Sequence, residues 1–194
     1  MMKPYIKHRT NQGPQKIYFP DFPDFKPNMT PEMMFVHGVF GGTYWRPIHS
    51  GVTNKDHADE WKEFPELVEF AKSDHHMEDF INSKTFDQQK NKYGVVAGSS
   101  LEDWEKQGWI NAQDPYGWVQ WYCRFSAGRR SDDDARQVKR WMNFTGPNGR
   151  FRKQLINRIK KINTTYWDIS VSPIIRQSLL QWGYELTEAD FKAA

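Results

Sequence analysis

A single cysteine, Cys123, rules out an internal disulfide framework and any all-cysteine metal site. Long apolar runs are missing too. No stretch approaches the roughly 20 residues of a membrane-spanning helix, and the segment Met1–Thr10 lacks the apolar centre of a secretory signal. The expectation is a cytoplasmic protein with no membrane partner. The histidines carry no HExxH spacing and no CxxC beside them, so no metal is expected. Gly41-Gly42 lacks the Gly-Lys-Ser/Thr of a phosphate loop, and no cofactor is expected. Strand signals are scarce, confined to Val95–Ala97 and the stretch around Tyr44.

Rings and positive charge are plentiful. The hydrophobic fraction is only 38%, yet the chain holds 9 Trp, 8 Tyr and 13 Phe. At roughly 150–250 Å² buried per ring, these supply the core that the aliphatic residues do not. Between Asp114 and Lys161 lie 12 basic residues against 4 acidic ones, a net +8 in a chain of net +3. The remainder is therefore net negative, and charge gathered in this way speaks of partners rather than of fold.

In the segment Tyr18–Pro27, Phe19, Phe22 and Phe25 recur every third residue among prolines. That period suits polyproline II, with the rings on one side. Such a segment is either a strap laid on the domain or a ligand for a protein partner's groove. We expect an extended arm over residues 1–28 and one compact helical domain over 29–194, mainly α, with an aromatic-rich core and few or no short strands.

Thr30-Pro31-Glu32 starts a short helix ending near Gly38. Trp61, Phe64, Leu67, Val68 and Ala71 fall at helical intervals; residues 73–92 are polar and read as loop or weak helix. Ser99-Ser100-Leu101-Glu102 has the form of a capping box. Asp114-Pro115 reads as a cap launching a helix that runs to Gly128 with no polar face, the buried spine of the fold. Ser131, followed by Asp132, Asp133 and Asp134, caps a helix with Ala135, Val138, Trp141 and Met142 inward and Arg136, Lys139, Arg140 and Asn143 outward. After Gly146-Pro147-Asn148-Gly149, a helix buries Phe151, Leu155, Ile159 and Ile162 and exposes Arg150, Arg152 and Lys153. Ser172-Pro173 caps one with a stripe of Ile175, Leu179, Trp182 and Leu186.

Each feature has a functional and a plain reading. The first turn after Gly149 could hold phosphate through backbone N–H groups with Arg150, Arg152 and Lys153, or it could simply join two helices. It is loosely similar to the GXXG loop of KH domains and to helix-hairpin-helix DNA binders, though no Ile-Gly pair precedes it as in KH and its glycine spacing is one residue too long for the usual hairpin. Asp114, Asp133 and Asp134 are candidate catalytic carboxylates or merely helix-start acids. Tyr44, Arg46, Tyr116, Trp118, Trp121, Gln137 and Trp141 mix rings with guanidinium and amide groups, as a base-accepting pocket does and as a satisfied aromatic core also does.

The strings Asp114-Pro115-Tyr116-Gly117-Trp118, Trp121-Tyr122-Cys123-Arg124-Phe125, Gly128-Arg129-Arg130, Asp133-Asp134-x-Arg136-Gln137 and Arg140-Trp141 resemble a group of small proteins encoded by tailed phages of cyanobacteria and by some algal and fungal genomes. The resemblance covers most of the chain beyond Phe19. It brings no activity and no catalytic residues, and implies a viral setting, the host cytoplasm, and a theme of DNA processing.

Three functions follow from the sequence. The first is nucleic-acid binding, of DNA rather than RNA, through Arg129, Arg130, Arg136, Lys139, Arg140, Gly149, Arg150, Arg152 and Lys153. Some five phosphates neutralised on duplex DNA would give a log–log salt slope of about −4.5. The second is an enzyme acting on a nucleotide or base with an aspartate as acid/base. The third is a protein-interaction adaptor using the Phe19–Phe25 strap.

Overall fold

A computed structural model describes residues 16–73 and 77–194. The loose arm expected over residues 1–16 lies outside them except for Lys16, as do His8, His75 and His76. The architecture is mainly α. The helices are α1 (Pro31–Val36), α2 (Pro65–Lys72), α3 (Leu101–Lys106), α4 (Trp118–Ser126), α5 (Asp134–Phe144), α6 (Arg150–Lys161), α7 (Pro173–Leu180) and α8 (Glu188–Lys192). Among the described residues the strands are an antiparallel pair, β1 (Ile48–Ser50) and β2 (Lys55–His57), with Ile48 opposite His57 and Ser50 opposite Lys55. Val95–Ala97 is not a strand, since no neighbouring segment offers it a ladder, and Tyr44 lies in a turn just before β1.

The spine is α4. Its residues are buried apart from Arg124, which is half-buried, and Ser126, which is exposed. The strap's rings close over it. Fully buried Phe25 meets Trp121, Tyr122, Phe125 and Trp141 with centroids 5.2–5.8 Å apart. Phe19 stacks on Phe25 at 5.4 Å, and Phe22 sits edge-on to Phe125 at 5.6 Å. Contacts of this kind contribute about 0.5–1.5 kcal/mol each beyond area burial. The strap therefore belongs to the domain's own core from Phe19 onward.

Thr30 caps α1 through its side chain, with Pro31 in the first turn. The capping box of α3 is formed one residue later than the sequence suggests, by Ser100 and Asp103. Residues 79–92 are tied into the fold more closely than their polarity implies: Phe80 and Ile81 are buried, and the Ile81 carbonyl accepts from the Trp45 N–H.

The expected cap at Asp114 fails. A tight turn intervenes, in which Gly117 donates its N–H to the Asp114 carbonyl at φ +85° before α4 begins. A Cβ at Gly117 would stand 2.9 Å from Ile110 Cδ1, so glycine is required there twice over. In α5 the inward face is Asp134, Gln137 and Trp141, while Ala135 is exposed. Apolar counting misses this because Asp134 and Gln137 bury themselves through side-chain hydrogen bonds. Ile162, expected inside, is 58% exposed, because α6 ends at Lys161.

Candidate functional site

Half of the expected cationic face is paired with acids. Arg129 donates to both oxygens of Asp114 at 2.8 and 2.6 Å. Arg130 pairs with Asp21 of the strap, its guanidinium 3.9 Å from the Phe125 ring centroid. Arg136 binds Asp133 within α5. Arg152, expected outside, is buried and paired with Asp190 of α8, and its guanidinium faces the Tyr184 ring at 5.1 Å. Its own helix turns it inward, on the side carrying Leu155, Ile156 and Ile159. Gly149 is buried as well: a Cβ there would lie 2.4 Å from the Thr145 nitrogen, so the residue permits close helix crossing. Lys139, Arg150 and Lys153 remain exposed.

The candidate carboxylates are likewise engaged. Asp114 is gripped by Arg129 and Arg124. Burial pushes the Asp133 carboxyl up, but Arg136 and the Gln137 amide outweigh it and hold the group below the usual range. Asp134 accepts from the Trp121 indole at 2.8 Å and from the Ser131 N–H and hydroxyl, both at 2.9 Å. Trp121, Gln137 and Trp141 are core residues, and Trp141 donates its indole N–H to the Trp182 carbonyl. Among the described residues no group of three His, Cys, Asp or Glu side chains converges on a point.

The concavity lies elsewhere, at the N-terminal end of α4, where Trp118 and Val119 line it. A cavity of about 370 Å³ is walled by Trp104, Trp109, Trp118, Phe144, Phe151 and Trp182, with Arg140 and Arg150 among its lining. Its rings form a ladder: Trp118 to Trp182 at 4.9 Å, Trp182 to Phe144 at 4.6 Å and 18°, Phe144 to Phe151 at 5.2 Å and 28°. Of the sequence candidates, Tyr44, Trp118, Arg140 and Arg150 meet here, while Arg46 and Tyr116 join Tyr44 in an adjoining cavity. No acidic residue lines either one.

Arg140 is the unusual group. Its guanidinium lies 5.4 Å from the ring centroids of both Trp109 and Trp182. Nη1 donates to the Trp109 carbonyl at 3.3 Å and to Gln137 Oε1 at 3.0 Å. Gln137 in turn donates to Asp133 at 2.9 Å, which fixes the amide's orientation. No carboxylate among the described residues pairs with Arg140. Burial, with Arg136 adding like charge, pushes its pKa down to about 10, so it remains cationic at neutral pH. Arg150 opens from the first turn of α6, its guanidinium 4.1 Å from the Phe144 centroid, also without an acid.

Trp104, Trp109, Phe144, Phe151, Gln181 and Trp182 are the lining residues that sequence reasoning missed or assigned to the core. For Phe144 and Phe151 the signal was rings beside arginines in the segment of excess positive charge; Trp104, Trp109, Gln181 and Trp182 lie outside that segment and carried no such signal. A third hollow, between the strap and α1, is lined by Glu32 and Glu66, the wrong sign for a polyanion. No helix among the described residues is long and apolar enough to cross a membrane. Comparison with known protein families, curated proteins and solved structures finds no match to this chain.

Proposed function

We propose that the protein binds nucleic acid by receiving unpaired bases in the cleft between α3, α5, α6 and α7. The observation that carries this reading is Arg140, a half-buried guanidinium that makes no direct ion pair among the described residues, with Asp133 acting on it only at a distance, held between two indoles at an acid-free, ring-walled cavity. A cation drawn out of water without a partner is costly, and an anionic ligand would offset that cost. A wall of stacked rings selects a flat ligand, because every base has a π-face, with stacking contributing about 1–3 kcal/mol per base. Flat and anionic together describe a nucleotide. A cationic ligand would be repelled by Arg140 and Arg150, and an uncharged sugar would leave both unanswered.

Binding of unpaired bases suits the geometry better than a duplex-phosphate face, since Arg129, Arg130, Arg136 and Arg152 are already paired. It also leads the acid/base enzyme reading, because neither cavity is lined by a carboxylate, imidazole or thiol. On this reading the resemblance to phage-encoded proteins makes DNA the favoured polymer.

The test is tryptophan fluorescence titrated with a single-stranded oligodeoxynucleotide and with the matching duplex. Stacking on Trp182 and Trp109 should quench emission, with the single strand binding at least about tenfold tighter. R140M should remove the quench while circular dichroism is unchanged. Equal response to both forms, or quenching undiminished in R140M, would refute the proposal.

A further inference from the structure

The two cavities are joined compartments of one cleft. They share Phe40, Tyr44, Gly98, Ser99, Trp104 and Gln181 as a common wall. The second, about 390 Å³, continues past that wall to Arg46, Lys84 and the ring of Phe86, which is 42% exposed. Each end therefore has its own pair of cations and its own ring surface. Arg140 and Arg150 stand with the Trp182–Phe144 ladder at one end, and Arg46 and Lys84 stand with Phe86 at the other.

On the wall that the compartments share, Gly98 packs directly against the Gln181 side chain. Gly98 adopts φ +87°, and a Cβ there would stand 2.8 Å from Gln181 Oε1. The Gln181 amide is fixed by donation of Nε2 to the Ala97 carbonyl at 2.9 Å, so the oxygen is the atom facing Gly98.

We infer that the cleft takes two consecutive unpaired nucleotides, one base in each compartment, with the strand crossing over the wall that the two compartments share. A single nucleotide meets only one ring surface and one cation pair. A dinucleotide meets both and brings a phosphate for each. Three facts point to this arrangement: both ends have a ring surface, both have cations, and neither has an acid. The inference rests on the base-binding reading above and specifies its substrate as a stretch of strand rather than a free nucleotide.

The experiment is the same fluorescence titration with three probes: deoxyadenosine monophosphate, the 5′-phosphorylated adenylate dinucleotide, and the corresponding tetranucleotide. Affinity should rise at least about tenfold from the first to the second, matching one added stack. It should rise little from the second to the third once the number of binding registers is counted. The double variant R46A/K84A should erase the first gain, as should F86A, which alters only an exposed ring. Equal affinity for mono- and dinucleotide would overturn the inference while leaving base binding intact. So would a gain that survives R46A/K84A and F86A, or one that continues undiminished to the tetranucleotide. Failure of all three probes to bind would instead refute the reading on which it rests.

Discussion

Arg129 holds Asp114 with both prongs of its guanidinium, and the carboxylate is 1% exposed. Arg124 Nη1 reaches the same Oδ1 at 2.9 Å and the Gln113 carbonyl beside it. One buried carboxylate thereby ties the 111–117 turn to both guanidiniums at the C-terminal end of α4. D114A would leave Arg129 uncompensated, while Arg124 keeps its pair with Glu63, and urea unfolding should register a loss of about 3–5 kcal/mol. D114N should lose nearly as much, since an amide answers neither charge. Folded D114N should still quench with single-stranded DNA, because Asp114 does not line the cleft. Lost binding at unchanged stability would return Asp114 to a functional role.

A second prediction concerns acid. His37 closes α1, is 3% exposed, and its Nδ1 has no hydrogen-bond partner. Burial pushes its pKa down to about 4; Lys92 adds to the shift and Glu185 opposes it. In the unfolded chain the group titrates near 6.5. Between these values the unfolded state binds a proton that the folded state refuses, so stability falls as pH drops from about 6.5 to about 4. The loss from this residue alone reaches roughly 3 kcal/mol, then levels off. Urea midpoints at pH 7, 5.5 and 4 for wild type and H37Q isolate it, since the carboxylates titrate in both. Parallel curves for the two proteins would show that His37 is not the source.

What the sequence could and could not tell follows from the range of each interaction. The burial of α4 was legible because seven neighbouring residues carry it, and the Thr30-Pro31 cap because its parts are adjacent. Asp114 was misread as a cap because its true partners lie 10 and 15 residues on. The cationic face was misread for the same reason: the sequence shows the charge of Arg130, but not that Asp21 waits 109 residues earlier. Gln137 fitted a pocket or a core equally well, and its burial depends on Asp133, to which it donates, and on Arg140, from which it accepts. The cleft is assembled from segments around residues 40–46, 84–110, 140–151 and 174–182, so only the fold brings its rings into one wall.

Salt dependence separates the two nucleic-acid geometries. With four guanidiniums locked in ion pairs, few cations are left to displace counterions. Two or three phosphates met on a single strand give a log–log slope of about −1.5 to −2. The basic-face arrangement read from the sequence requires about −4.5 on duplex. A titration from low to moderate salt distinguishes them, and a slope steeper than about −4 would mean that the paired arginines release their acids to reach DNA.

Two arginine-to-methionine changes should part company in stability, and the contrast tests what Arg140 is for. R129M abandons a buried carboxylate and should cost about 3–5 kcal/mol, as breaking such a pair does. R140M removes a half-buried cation that has no carboxylate. It forfeits two hydrogen bonds, to Gln137 and the Trp109 carbonyl, but also relieves the desolvation of an unpaired charge and keeps apolar contact with Trp109 and Trp182. Stability should therefore stay within about 1 kcal/mol of wild type, while affinity for single-stranded DNA falls at least about tenfold. A charge that the fold does not need, retained where rings and a cavity meet, has its use in what the cavity receives. If R140M unfolded as readily as R129M, the guanidinium would be a structural post, and the argument for a ligand beside it would lose its foundation.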